Sequence, residues 1–114
     1  MIIKSFEDIV AWQKAKVLTL LIYKKFGSCR DFGFRDQIYR ASVSIMNNIA
    51  EGFERNGNKE LRNFLYIAKG SSGEVRSMLT LALDLRYINL DEFNEMHSLS
   101  IEISKLLSGF IKKL

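Results

Sequence analysis

The cluster Lys69-Gly70-Ser71-Ser72-Gly73-Glu74 has the composition of a phosphate-binding loop. A Walker loop, however, places Gly-Lys-Ser/Thr after its first glycine and follows a strand. Here the lysine comes before the first glycine, and apolar residues recur at helical spacing on both sides of the cluster. We therefore interpret these small residues as a packing surface within a helix, where a neighbouring backbone approaches closely.

Metal and thiol chemistry would have to use the single histidine and the single cysteine. A di-iron helical bundle needs Glu-x-x-His on two helices, and Asn94 stands three residues before His97. A zinc site would draw on Cys29 and His97 without the usual paired spacing. Arg30 adjoins Cys29, but no partner for a reactive thiol follows from the sequence. We predict no metal, no cofactor and no enzymatic activity.

A line of polar residues recurs at intervals of three or four in the second helical segment. It has two interpretations: a solvated face with pairing one turn apart, or a polar seam between helices or subunits in which amide and carboxylate groups fix the register. We favour the seam. Its members are Arg40, Asn47, Asn48, Glu51 and Arg55, with Ser44 on the same line.

The chain carries a formal net charge of +4, and the excess is uneven. Residues 1–35 hold seven Lys/Arg against three Asp/Glu, and residues 61–87 hold four against two. This distribution fits a polyanionic partner, while a solvated surface is the alternative. The candidate nucleic-acid contacts are Lys14, Lys16, Lys24, Lys25, Arg35, Lys59, Arg62 and Lys69, with Arg30 and Arg76 in the same segments.

Four helical segments must position these groups. The chain has 114 residues, 47% of them hydrophobic, and no proline. Ser5 with Asp8 has capping spacing before the first segment, and Asn58 and Asp91 are predicted to cap the third and fourth. Short connections favour antiparallel neighbours, so we predict an all-α, up-down four-helix bundle that forms one domain over residues 1–114.

The first segment is apolar on two faces. Phe6, Val17 and Leu20 belong to one face, which we assign to the bundle core. The opposite face would then be left for a neighbouring copy of the chain, since monomers rarely expose such a strip. The predicted oligomer interface comprises Trp12, Ala15, Leu18, Ile22 and Phe26.

The sequence pattern indicates neither a signal peptide nor a membrane-spanning segment. The N-terminal residues form no signal-peptide core, and the most apolar run, residues 17–23, is too short for a membrane span of about 20 residues. One cysteine implies no disulfide framework. We expect a cytoplasmic protein without a membrane partner.

Several stretches of the chain match the pattern of a known protein family. They are Phe6–Ala15, Phe32–Phe34 leading into Gln37–Ile45, Asn48–Phe53 and Lys59–Ser71. Together they resemble the bacterial four-helix-bundle proteins that are encoded in intervening sequences of 23S ribosomal RNA and are sometimes labelled ribosomal proteins. The resemblance runs from about Phe6 to Tyr87, and the Asn-Ile-Ala-Glu-Gly block is its most specific motif.

This resemblance implies a ring-like homopentamer. It also implies kinship with an accessory protein of diversity-generating retroelements, which binds nucleic acid and a reverse transcriptase through a basic surface. The chain departs from the family pattern at Met46, where proline is common, and at Tyr39, where a second arginine is common. Helix continuity is therefore expected at Met46.

Charge pattern and resemblance together predict a non-enzymatic homo-oligomer that binds RNA or DNA, with or without a protein partner. The alternative is a protein-interaction scaffold with no nucleic-acid role. The two hypotheses differ in the salt dependence of nucleic-acid binding, which only the first predicts.

Overall fold

A computed structural model describes residues 3–114 of the chain. A short 3-10 turn, Phe6–Asp8, precedes four α-helices, and these residues contain no strand. The prediction of an all-α fold is therefore confirmed. The helices are α1 (Val10–Phe26), α2 (Phe32–Glu54), α3 (Asn58–Asp84) and α4 (Leu90–Lys112).

Side-chain contacts between the helices establish the up-down topology. In three of the helix pairs, the residue number on one helix rises as the number of its contact on the other falls, which defines an antiparallel pair. The contacts are Thr19 with Ser42 and Phe26 with Phe34 for α1/α2, Gln37 with Glu74 and Ser44 with Ser71 for α2/α3, and Lys14 with Glu102 and Lys25 with Glu92 for α1/α4.

The four helices are arranged around the bundle axis in chain order. Each helix packs against the helices before and after it, α1 packs against α4, and within residues 3–114 the backbones of α1 and α3, and of α2 and α4, do not come within 8 Å Cα–Cα of each other. The α1/α2 side of the molecule is consequently opposite the α3/α4 side. The outer faces of α1 and α3 likewise point in opposite directions.

Local signals set the helix ends. The predicted Ser5–Asp8 capping box is present, although it closes the 3-10 turn and α1 begins only at Val10. The predicted cap at Asp91 is wrong: Asn89 accepts from the Glu92 N–H, and the Glu92 carboxylate accepts from the Asn89 N–H. This backbone bond, together with the Lys25 ammonium, lowers the pKa of Glu92.

The start of α3 also differs from the prediction. The predicted cap Asn58 is the first helical residue, and Gly57 precedes it at a φ of 102°. This left-handed backbone is accessible to glycine without strain, so Gly57 makes the turn between α2 and α3. As expected, α2 runs through Met46 without interruption.

The predicted assignment of the two faces of α1 is wrong. Ala15, Leu18 and Ile22 are completely buried in the bundle, and Phe26 is buried with them. They form a continuous stripe, whereas the opposite apolar face is interrupted by the exposed polar residues Gln13, Lys16 and Lys24. Trp12 is half-buried and packs edge-on against Phe6. Intramolecular packing therefore uses the residues predicted for the oligomer interface.

The small-residue cluster of α3 lies within a continuous helix, as predicted. Its glycines make no close helix contact, because a Cβ on Gly70 would meet nothing within 4 Å. Ser72 is the fully buried member of the cluster. The close approach of helices occurs instead at Gly52, where an added Cβ would lie 2.7 Å from Phe64 Cβ.

Within residues 3–114, none of the helices is both long enough and apolar enough to span a bilayer.

Candidate nucleic-acid interface

A line of cations follows α3 on the side that faces α4. Arg62, Lys69 and Arg76 are separated by intervals of seven residues, or about 10.5 Å per interval along a helix. Residues this far apart return to the same side of a helix, so the three cations share one edge. Lys105 and Lys112 repeat the same interval on α4.

An open groove of about 490 Å³ lies between these helices. Its wall contains no carboxylate among the residues that the structure describes. The side chains of Arg76, Lys105 and Lys112 carry positive charge, and two serines offer hydroxyl groups. The complete lining is Arg76, Ile101, Ser104, Lys105, Ser108, Gly109 and Lys112.

The Arg76 guanidinium is held by neutral partners. Its Nη1 donates to Ser104 Oγ at 2.7 Å, Ser104 Oγ donates to Ser72 Oγ at 3.0 Å, and Ser72 Oγ donates to the Ser100 carbonyl at 3.0 Å. Ser72 and Ser100 are fully buried, so this chain of hydroxyls is part of the α3/α4 packing. It orients the guanidinium without neutralising its charge. Arg76 is therefore prepared to bind an anion.

Several predicted cations have carboxylate partners elsewhere. Lys14 pairs with Glu102 at 3.1 Å, and Lys25 pairs with Glu92 at 2.8 Å, both across the α1/α4 side. Such half-exposed pairs add little stability, but each places a negative charge beside the cation.

The remaining cations of α1 and α2 also lie apart from the groove. Arg35 pairs with the neighbouring Asp36 at 3.1 Å, and the Lys16 ammonium lies 5.6 Å from the Trp12 ring. Lys24 is exposed on α1, which is not a neighbour of α3 in the bundle.

Of the eight predicted nucleic-acid contacts, only those of α3 belong to the α3/α4 side. Arg62 and Lys69 continue the line of Arg76, and Lys59 stands in the first turn of the same helix. Lys105 and Lys112 were missed by the sequence reasoning. Their interval of seven, equal to that between Arg62, Lys69 and Arg76, was the available signal.

The polar line of α2 is largely a solvated face, so the prediction of a seam between helices of the chain is wrong for most of it. Arg40, Asn47 and Glu51 are exposed. Arg55 Nη2 donates to the Glu51 carboxylate at 2.8 Å, one turn earlier, and this bond raises the pKa of Arg55. Whether a second subunit covers this face stays a prediction.

Two other polar residues of α2, Ser44 and Asn48, form hydrogen bonds with α3 or with each other. Ser44 Oγ lies 2.9 Å from Ser71 Oγ on α3. Asn48 is half-buried and donates to both the carbonyl and the hydroxyl oxygen of Ser44. The polar contact between α2 and α3 is thus smaller than predicted and centred on Ser44.

The histidine and the cysteine occupy separate places. His97 stacks on Phe93 with ring centres 4.7 Å apart. The Cys29 thiol lies 3.8 Å from the Asp31 carbonyl, and the Asp31 carboxylate accepts from the Tyr87 hydroxyl, which raises the pKa of Tyr87. Residues 3–114 bring together no group of three His, Cys, Asp or Glu side chains suited to a metal ion.

Known proteins share this bundle. The 23S rRNA-intervening sequence protein family matches residues 7–109 of the chain. The chain belongs to that family. A crystal structure of a protein of unknown function from the S23 ribosomal protein family of Bacteroides thetaiotaomicron has the same fold, with a TM-score of 0.85 and 29% sequence identity. The match covers 90% of this chain and 99% of that one. Curated proteins offer no match.

Proposed function

We propose that this family member is a non-enzymatic, cytoplasmic homo-oligomer that binds nucleic acid through the groove between α3 and α4. The observation that carries the proposal is the Arg76 guanidinium. It is oriented by the half-buried Ser104, which in turn bonds to the buried Ser72, and no carboxylate within residues 3–114 pairs with it. Phosphate contacts need positioned cations and hydroxyl donors but no sequence motif. The groove supplies both.

The dimensions of the cation line suit a polyanion. From Arg62 to Arg76 the line extends about 21 Å, at 1.5 Å per residue. Phosphates of one B-DNA strand follow one another at about 3.4 Å along the axis, so the line spans roughly six of them. Lys105 and Lys112 add charge from the other wall.

Salt-dependent binding tests this assignment. We would titrate duplex DNA and duplex RNA of unrelated sequence against the wild type and the double variant Lys69→Glu/Lys105→Glu. The control is Lys4→Glu/Arg30→Glu, which changes the net charge equally at exposed cations outside the groove. Lys69 belongs to the α3 cation line and Lys105 to the groove wall. We expect the Lys69→Glu/Lys105→Glu variant to bind at least ~10-fold more weakly, with a salt slope shallower by about two, as each lost phosphate contact removes about one.

Two outcomes contradict the proposal. An equal loss in the control would mean that only net charge matters. Absence of wild-type binding at low salt would favour the scaffold alternative, which has no nucleic-acid role.

The homo-oligomer is supported by apolar side chains on two opposite sides of the bundle. On the outer face of α1, Val17 and Leu20 are 50% and 62% exposed. On that of α3, Ile67 and Leu81 are 51% and 49% exposed. We call Val17 and Leu20 the α1 strip, and Ile67 and Leu81 the α3 strip. The two strips differ and face opposite directions, so packing of the α1 strip of one copy on the α3 strip of the next gives a contact that repeats head to tail. Such a contact closes a ring when its rotation permits, and the family resemblance implies five copies.

A pair of charge substitutions tests the ring. Leu20→Glu should give smaller species by light scattering, because it places a charge in the α1 strip. Leu90→Glu is the control: Leu90 is 60% exposed at the start of α4, outside both strips. Unchanged mass for Leu20→Glu, or a monomeric wild type at micromolar concentration, would refute the ring. Charge at buried Leu18 is expected to disrupt the fold itself.

A further inference from the structure

A second groove lies on the opposite side of the bundle, along the outer surface of α2 beside α1. Its volume is about 530 Å³, which is in the range of small-molecule sites, and it is open to solvent. Two aromatic rings, amides and charged groups share its wall. The lining is Tyr23, Asp36, Tyr39, Arg40, Val43, Ser44, Asn47 and Asn48.

Two tyrosines form a fixed aromatic platform in this groove. The rings of Tyr23 and Tyr39 are stacked, with centres 3.8 Å apart and planes within 8°. The Tyr39 hydroxyl donates to the Tyr23 carbonyl at 3.3 Å, which holds the stack in register. The Arg35 guanidinium lies 5.9 Å from the Tyr39 ring centre. Tyr39 is half-buried and Tyr23 is 44% exposed, so Tyr23 presents ring surface to a ligand.

Polar groups beside the platform remain available to a ligand. Arg40 is exposed and belongs to none of the ion pairs within residues 3–114. The Asp36 carboxylate, which lies in the same groove, pairs with Arg35 at 3.1 Å. Asn47 is exposed about two turns further along α2 and offers an amide donor and acceptor. The amide nitrogen of Asn48, by contrast, is already bonded to Ser44.

We infer that this groove binds one unpaired nucleobase together with its phosphate. The base stacks on Tyr23, the Asn47 amide bonds to the base edge, and Arg40 contacts the phosphate. Stacking on an aromatic side chain contributes about 1–3 kcal/mol per base and tolerates any base, because every base has a π-face. The inference rests on the proposed function for the class of ligand, but its groove lies across the bundle from α3/α4.

A fluorescent base reports on this site directly. We would titrate a single-stranded oligonucleotide containing 2-aminopurine, whose emission falls when it stacks, with wild type, Tyr23→Leu, Tyr23→Phe and Arg40→Gln. We expect wild type and Tyr23→Phe to quench emission equally. Tyr23→Leu should retain less than about one-fifth of the quenching, and Arg40→Gln should weaken binding several-fold. Circular dichroism on each variant establishes that the bundle is intact.

Two further comparisons in the same experiment distinguish this inference from the proposed function. Lys69→Glu/Lys105→Glu should lose duplex binding and keep single-strand quenching. Single-strand quenching without any duplex binding by the wild type would refute the α3/α4 proposal and support this site. Wild-type-level quenching by folded Tyr23→Leu, or no quenching by the wild type, would overturn this site.

The source of the base is settled by competition with adenosine monophosphate. Displacement of the oligonucleotide from the Tyr23 platform by the mononucleotide would support a site for free nucleotides. Tyr23-dependent quenching that the mononucleotide does not reverse would support an unpaired base within a polynucleotide.

Discussion

The polar line of α2 and the edge of α3 that faces α4 both carry arginines at helical spacing, yet Arg55 of the first and Arg76 of the second offer different charge to a ligand. Arg55 on α2 bonds to a carboxylate one turn earlier. Arg76 on α3 bonds to a serine of the next helix. Both arginines are oriented, but only the second keeps an uncompensated charge. The availability of a cation thus depends on the partner that fixes it and not on its spacing.

Glycine substitutions should produce the largest contrast between the two regions. Gly52→Ala on α2 places a Cβ 2.7 Å from Phe64 Cβ, so we expect unfolding free energy to fall by about 1–3 kcal/mol. Gly109→Ala in the α3/α4 groove meets nothing within 4 Å and should raise it by roughly 0.5–1 kcal/mol, since helical alanine is favoured over glycine. Denaturant unfolding measures both, and shifts of the same sign would contradict the packing described at Gly52.

The buried hydroxyl chain should matter more than the half-buried hydroxyl pair of α2 and α3. Ser72→Val leaves the Ser100 carbonyl and the Ser104 hydroxyl without their partner, at an expected cost of about 1–3 kcal/mol. Ser44→Ala removes a contact that water can replace and should cost less than about 1 kcal/mol. Equal shifts in melting temperature for Ser72→Val and Ser44→Ala would contradict the greater importance of the buried hydroxyl chain.

Neutralising one arginine in each region tests which charge meets nucleic acid. Arg76→Gln should lower affinity for duplex about tenfold at low salt, which corresponds to about 1.4 kcal/mol. Arg55→Gln loses the same charge and should change affinity less than about twofold, because Glu51 already compensates it. Filter binding at fixed salt compares them, and a larger loss for Arg55→Gln would reverse the assignment.

The smallest effects are expected at the exposed ion pairs. Glu51→Ala and Glu102→Ala each break a solvent-accessible pair, with Arg55 and Lys14 respectively, and should each alter unfolding free energy by less than about 1 kcal/mol. A several-fold larger loss for Glu51→Ala, accompanied by a change in mass, would show that a second subunit buries the α2 line.

Much of the fold could be predicted because each helix carries its own periodic signal. The core stripe of α2 at Ile38, Ile45 and Ile49 is fully buried, as its spacing indicates. The orientation of α1 could not be decided by apolarity, since both of its faces qualify. The decisive feature is that Lys16 and Lys24 interrupt one face and leave the Leu18 face continuous.

The candidate sites were less predictable because they depend on contacts between helices. That Lys14 and Lys25 face carboxylates of α4 follows from the register of the α1/α4 pair. The serine partner of Arg76 likewise lies on another helix. The Tyr23–Tyr39 platform unites residues of two helices, so sequence spacing along either helix gives no indication of it.

The α1/α4 pair differs from the other three in how the chain forms it. Short turns join α1 to α2, α2 to α3 and α3 to α4, whereas α1 and α4 meet only when the two ends of the sequence come together. Closing that long loop costs more chain entropy than closing a short turn, and the ion pairs that span the contact are weak. We therefore expect the α1/α4 contact to be the last part of the bundle to form and the first to open. Opening of this contact would expose the Leu18 stripe, so we expect exchange with solvent, or with a helix of another chain, to begin there.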